Sequence, residues 1–276
     1  YHWLHGSSAT DENGFVAPIL ESKKHPLENR VWYNYQDQNS PITANQEMSA
    51  RPSIIARVLD DGTSQFKQFT YNSLGAVTSY IDPAGRKYSY LYDSNKIDLL
   101  EVHQTKNDAS ELLVKYTYNS QHLRLTKRDA SGQITKYAYN AAGQVKTITN
   151  PKKEKTSFTY DGNGYLKNIT GPIAGLTISL TYDGFGRVRT VTDPEGYRII
   201  VDYDALDRPT IITYPDSSFE QIVYDRLDAV HMKDRLGRWS HTIYDSLGRP
   251  NLIQDALGRI TQFIWCSCGS LAEIVD

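Results

Sequence analysis

The side chains of this 276-residue chain that could do chemistry are its two cysteines, seven histidines and 32 acidic residues. Paired carboxylates can hydrolyse a glycosidic bond as acid and base or nucleophile. Among 32 acidic residues, however, pairs close in space arise by chance. The conspicuous ones, including Asp82, Asp161, Asp193 and Asp255, stand where a turn needs an aspartate. The histidines, His2, His5, His25, His103, His122, His231 and His241, show no His-Glu-x-x-His spacing, and His2 and His5 form the one close pair. There is no Gly-x-Ser-x-Gly elbow and no phosphate-binding glycine loop. Cys266 and Cys268 lie one residue apart. A disulfide between them would close almost no loop and add little stability, and no second pair completes a zinc site. Two ordinary, unbonded cysteines in a strand and turn are expected. Repeated Asp turns offer one or two carboxylates each, short of the oxygen shell calcium takes. The expectation is a chain with no catalytic residue, no cofactor and no metal.

What positions these residues is a repeat. The aromatic marks are Tyr71, Tyr92, Tyr118, Tyr139, Tyr160, Tyr182, Tyr203, Tyr224, Tyr244 and Trp265, at steps of 21, 26, 21, 21, 22, 21, 21, 20 and 21 residues. Asp or Asn follows nine of the ten, as at Asp93, Asp161, Asp183 and Asp245. Four residues past the aromatic stands glycine at Gly75, Gly143, Gly164, Gly186, Gly248 and Gly269, with Asp207 and Asp228 in that place in two copies. Asp and Asn bond their own backbone in turns, and Gly, Asn and Asp tolerate the left-handed conformation. About ten residues on comes a second turn, Asp82 to Gly85, Asp193 to Gly196, Asp234 to Gly237 or Asp255 to Gly258. Two turns and two short strands per unit predict a meander of hairpins and leave no room for a helix.

Before each mark the strand alternates. Phe69, Tyr90, Tyr116, Tyr137, Phe158, Leu180, Val201, Ile222, Thr242 and Phe263 stand two residues ahead of the aromatics, so one stripe of large side chains shares a face. The other parity, such as Thr70, Thr117, Thr159, Thr181 and Asp202, is mostly polar. One packed and one wet face are expected. After the turn the apolar residues fall three apart, as in Val145/Ile148, Leu166/Ile169 and Val188/Val191, which predicts a bulge or strong twist. Residues 54 to 276 hold about ten units. Residues 1–53 miss the beat, are broken by Pro18, Pro26, Pro41 and Pro52, and are set apart as a cap or plug-like segment. The 26-residue step reads as one lengthened hairpin loop around Lys106 to Glu111, and around His122 the pattern looks shifted.

Bulk properties narrow the partners. The formal net charge of −2 gives no pull toward nucleic acid, and no stretch approaches a membrane span. Tyr1 at the first position points to numbering that begins inside a longer protein. Tyrosine occurs 20 times against 7 phenylalanines, which suits half-buried sheet faces.

The runs Tyr182-Asp183-Gly184-Phe185-Gly186-Arg187-Val188 with Thr192-Asp193-Pro194-Glu195-Gly196, and Tyr244-Asp245-Ser246-Leu247-Gly248-Arg249 with Asp255-Ala256-Leu257-Gly258-Arg259, resemble the YD-repeat, or RHS-repeat, family. That resemblance implies an all-β chain, a long twisted antiparallel sheet that is a segment of a spiral hollow shell like those of bacterial RHS and toxin-complex proteins and of teneurins. The implied function is a structural scaffold for encapsulation or display, acting sterically, in a secreted or bacterial cell-surface protein. Its partners would be further repeats or an enclosed polypeptide of the same parent. The alternatives are a module for a cell-surface protein or glycan, using Trp32, Trp239 or Trp265, and, weakest, a glycoside hydrolase-like enzyme.

Overall fold

The computed structural model describes residues 1–6, 15–36, 50–106 and 109–276. They form two compact units, residues 1–143 with 150–152 and residues 144–149 with 153–276. Among the described residues there are 24 strands and no helix. The first unit holds the strands from His2–Gly6 to Ile134–Tyr139, the second those from Val145–Thr149 to Leu271–Val275. Within each unit every strand pairs antiparallel with the next in sequence. The all-β hairpin meander expected from two turns per repeat is what forms.

The three-residue apolar spacing is a bulge. Thr159 lies opposite Asn168, but the next residue, Tyr160, lies opposite Leu166. Lys167 is therefore the extra residue, and Leu166 and Ile169 both turn to the stripe face. The same slip follows Thr70, Leu91, Thr181, Asp202, Val223, Ile243 and Ile264. Because a bulge breaks the ladder locally, proline is tolerated there, as at Pro209 and Pro250.

The uneven steps reside in the turns. In the regular turn an Asp N–H donates to the carbonyl four residues on, as from Asp204 to Arg208. The 22-residue step has Gly171 donating to Leu176, one residue further. The 20-residue step closes with Asp225 paired directly to Asp228. Asp228 therefore does not take the turn-exit conformation expected of it: it begins a strand, and Arg226 carries the positive φ of 52°. The 26-residue step combines a longer turn, Asp93 to Asp98, with the long strands Leu99–Lys106 and Ala109–Tyr118. Asn107 and Asp108 lie outside the described residues. At His122 no shift occurs: it adopts φ 61° in the glycine place, and Arg124 opposite Tyr118 keeps the usual bulge.

In the segment set apart as a cap, Phe15–Lys23 pairs with Val31–Tyr35, which pairs with Pro52–Val58. Tyr35 opposite Pro52 carries the same slip as the later aromatics. Pro41 lies outside the described residues.

The expected packed face is different from a core. The stripe residues are half-buried, while Thr70, Thr117, Thr159 and Thr181 are exposed. Tyr35, 5% exposed, is the only buried apolar side chain among the described residues. Within each unit a strand touches only the strands before and after it, so no described strand of that unit lies over the stripe. Leucine or phenylalanine also recurs exposed at the turns, as Phe185, Leu206, Leu227 and Leu247.

Gly196 isolates the conformational demand of a turn exit, since its φ is +86° and a Cβ there would meet nothing within 4 Å. Gly196→Ala should cost about 1 kcal/mol, and Gly196→Asn less, through the left-handed backbone alone. Urea unfolding of the three chains measures it. Equal midpoints for the three would contradict the assignment.

Candidate functional site

The recurring unit of this structure is a joint between one repeat and the next. Nine of the ten aromatic marks, all but Tyr118, donate their polar hydrogen to a carbonyl 15 to 19 residues back, where the preceding strand begins. Tyr182 donates to Leu166 at 2.8 Å, Tyr203 to Val188 at 2.8 Å, Tyr224 to Pro209 at 3.1 Å and Tyr244 to Ala229 at 3.2 Å. Tyr92, Tyr139 and Tyr160 do the same to Val77, Arg124 and Val145. Trp265, which stands in place of a tyrosine, donates its indole Nε1–H to Pro250 at 2.7 Å. Tyr35 joins the series through Leu20, and Tyr71 through Pro52. Burial pushes the phenols of Tyr71, Tyr92, Tyr118, Tyr139 and Tyr182 up, so they are neutral hydrogen-bond donors rather than bases.

The aspartates close the turns. Asp204 Oδ1 accepts from the N–H of Leu206 and of Arg208, at 2.8 and 3.0 Å. The same pair of bonds forms at Asp82, Asp161, Asp183, Asp193, Asp245 and Asp255. Asp93 departs, because its longer turn leaves its carboxylate bonded to Ser94 while Asn95 caps the exit. Glycines 85, 143, 164, 186, 196, 248 and 258 all take positive φ at the fourth place. Apart from Asp228, which begins a strand, the turn residues named here lie in their own turns.

The arginine after the glycine was given no role by sequence reasoning, and it does two things. Arg187 Nε donates to its own Asp183 at 2.7 Å, while NH1 reaches the next turn, to the Asp204 carbonyl and the Asp207 carboxylate, both at 2.8 Å. Its guanidinium also lies over Tyr203, 4.8 Å from the ring centre. Arg208 repeats this with Asp204, the Arg226 carbonyl and Tyr224, and Arg249 with Asp245 and Trp265. Arginine fits because its planar fork can grip a carboxylate and stack on a ring at once. Its fixed place four residues after Asp was the available signal. Hydrogen bonding from Arg208 and Arg249 holds the Asp204 and Asp245 carboxyls below their usual range, against partial desolvation, which raises them.

Three constellations invite a chemical reading. Ser110 Oγ lies 3.1 Å from His103 Nδ1, and His103 Nε2 lies 2.9 Å from Glu101, which Lys115 also contacts at 2.7 Å. The order serine, histidine, carboxylate is that of a nucleophilic triad. An acyl transfer also needs N–H donors converging on one oxyanion, and two extended paired strands give no such convergence. Second, His122 Nδ1 contacts buried Asp98 at 2.8 Å, and with Asn95 it keeps that carboxyl below its usual range. This pair bridges two turns as the arginines do. Third, Cys266 and Cys268 form a disulfide, contrary to the expectation of two unbonded cysteines. The Cys266 N–H donates to Ser270 and Cys266 Sγ accepts from the Ser270 N–H, so cysteine takes the place of the turn Asp and the turn brings Sγ to Sγ. Among the described residues no group of three or more His, Cys, Asp or Glu could hold a metal.

Comparison with known proteins supplies the wider setting. The family model described as Teneurin YD-shell matches residues 98–246. No curated protein matches the chain. Among solved structures, the crystal structure of TcdB2-TccC3-TEV is similar at a TM-score of 0.64, with 13% identity over 97% of this chain. The Photorhabdus luminescens Tc holotoxin pore is similar at 0.55, with 12% identity over 88%. The chain spans only 16% and 15% of those two chains. At such identities the likeness is one of fold.

Two outcomes test the joint. Tyr182→Phe keeps the ring but leaves the Leu166 carbonyl without its donor, and should cost about 1 kcal/mol in urea unfolding; an unchanged midpoint would remove the bond from the account. The second concerns pH. Because the folded carboxyls of Asp204 and Asp245 titrate below their unfolded values, their contribution is complete above about pH 4 and is lost as pH falls through the folded values. Stability followed from pH 6 to 2 should fall over that acid range, and Asp204→Asn should flatten the fall.

Proposed function

The chain belongs to the Teneurin YD-shell family, and on that premise we propose that it is a stretch of shell wall that encloses a polypeptide of its own parent protein and acts sterically. The observation that carries this reading is the half-buried aromatic stripe of each unit, Phe69 to Tyr139 in the first and Phe158 to Trp265 in the second, over which no described strand of the same unit lies. An apolar sheet face that its own unit leaves half-buried lacks a cover, and a wall with something to face is a use for that surface. The joints favour the same reading. Repeat-to-repeat bonding makes an array stiff along its length without a core, which suits a partition more than a catalyst.

A wall needs no reacting group, and the turn aspartates and repeat aromatics are assigned here to structure: the aspartates close turns and the aromatics join repeats. The setting proposed is a secreted or cell-surface protein, with further repeats of the same parent as neighbours. A glycan-binding reading draws less support, because Trp265 spends its indole N–H on Pro250.

The test uses the full-length parent polypeptide. Under limited proteolysis with a broad-specificity protease, one segment of the parent should survive within the repeat region and become cleavable once the repeats are opened by denaturant. Digestion of every non-repeat segment at the rate of the denatured protein would overturn encapsulation.

A further inference from the structure

We propose that His231 and His241 form a two-imidazole site for a divalent transition-metal ion, with Ni²⁺ as its probe. The two residues lie directly opposite each other on the adjacent antiparallel strands Asp228–Lys233 and Trp239–Tyr244. Their rings meet at 80° with centroids 4.6 Å apart, and the two Nδ1 atoms are 2.5 Å from each other. At that separation one ring's Nδ1–H donates to the other's lone pair. The two Nδ1 atoms therefore face each other along one line, and turning both rings would direct their lone pairs to a shared ion beside that line.

The bite distance selects the geometry. Two nitrogens each about 2.05 Å from a metal stand about 2.9 Å apart at a right angle and about 3.35 Å apart at a tetrahedral one. From 2.5 Å, the right-angle arrangement needs an opening of about 0.4 Å and a turn of each ring of about 45°, so that its lone pair leaves the Nδ1–Nδ1 line. The tetrahedral arrangement needs about twice that opening. The pair thus suits ions that accept imidazoles side by side, Ni²⁺ or Cu²⁺, with water completing the shell. The donating ring moves its proton to Nε2 through solvent, and the freed lone pair takes the metal.

The surroundings favour a cation on balance. His231 borders an open cavity of about 530 Å³ whose charged lining is Asp225, Asp228 and Asp245 against the single cation Arg226. Across the sheet the pair is flanked by Val223 and Gln254, which are neutral. Trp239 stands edge-on to His231 at 6.4 Å. Lys233 is the opposing charge, and its ammonium is engaged over the Phe219 ring at 4.4 Å. No third carboxylate, cysteine or histidine joins the pair among the described residues, so affinity comes from the two imidazoles alone.

The experiment is calorimetric titration of the full chain with NiCl₂ at about pH 7.5. One saturable site is expected, lost when both His231→Gln and His241→Gln are introduced. Each single variant should bind roughly 100-fold more weakly, because the second imidazole acts at high effective concentration. His103→Gln and His122→Gln should bind as the unmodified chain does. The unmodified chain also decides alone: proton and metal compete for one lone pair, so affinity must fall as the solution is acidified. Absence of saturable binding up to about 1 mM, the ~4 kcal/mol level of weak association, overturns the site. So does binding that the double variant leaves unchanged, or affinity that does not vary with pH.

Discussion

An aromatic ring that hands its one polar hydrogen to a carbonyl a repeat earlier is the interaction on which the rest of this structure depends. The donor must be a large ring with a hydrogen-bonding tip, and Tyr182 and Trp265 both meet that demand although their shapes differ. The acceptor must be a carbonyl released from the strand ladder. The bulge releases it, and the bulge exists because the strand leaving each turn carries one extra residue, as at Lys167. Turn, bulge and ring are therefore one device. The arginine completes it by gripping the turn aspartate with one edge and lying over the next aromatic with its face, as Arg208 does between Asp204 and Tyr224.

This device substitutes for a hydrophobic core. A domain of this length ordinarily buries many apolar side chains completely, whereas here the stripe is only half-covered and Tyr35 alone is buried among the apolar side chains described. Cohesion comes from nearest-neighbour bonds that recur along the chain, so stability accumulates repeat by repeat. The same economy leaves apolar groups such as Phe185 and Leu206 in the open at the turns. It also explains why the constellations that resemble catalytic machinery lack its context. The Glu101–His103–Ser110 chain of contacts lies on two paired strands with a register irregularity at His103, and Ser110 is exposed, whereas a reacting group is served by a site closed to water.

Much of the fold was legible in the residues because the repeat is written in every copy. The spacing of Tyr160, Asp161 and Gly164 specifies strand end, turn and exit through local rules alone: alternation, Asx bonding and positive φ. The three-residue gap between Leu166 and Ile169 announced the bulge. Less legible were features that one copy alone carries. Tyr35 stands 36 residues before Tyr71 and therefore fell outside the beat, yet it bonds Leu20 as later tyrosines bond their own partners. The place of Asp228 was misjudged because a shortened turn looks regular when only the aromatic spacing is counted.

The sequence by itself determined the strand and turn pattern, the faces of the strands and, among the described residues, the absence of helix, because each follows from interactions spanning a few residues. Tertiary structure alone decided what the polar groups touch. The tyrosine hydroxyls reach carbonyls some fifteen residues back, as from Tyr203 to Val188. The Arg187 fork spans two turns, and His231 meets His241 across a strand pair. Spacing also set the two cysteines apart as a poor disulfide, but the turn they occupy brings Cys266 and Cys268 together. These pairings depend on register between strands, which a slip of one residue would undo, and register is set only when the strands lie side by side.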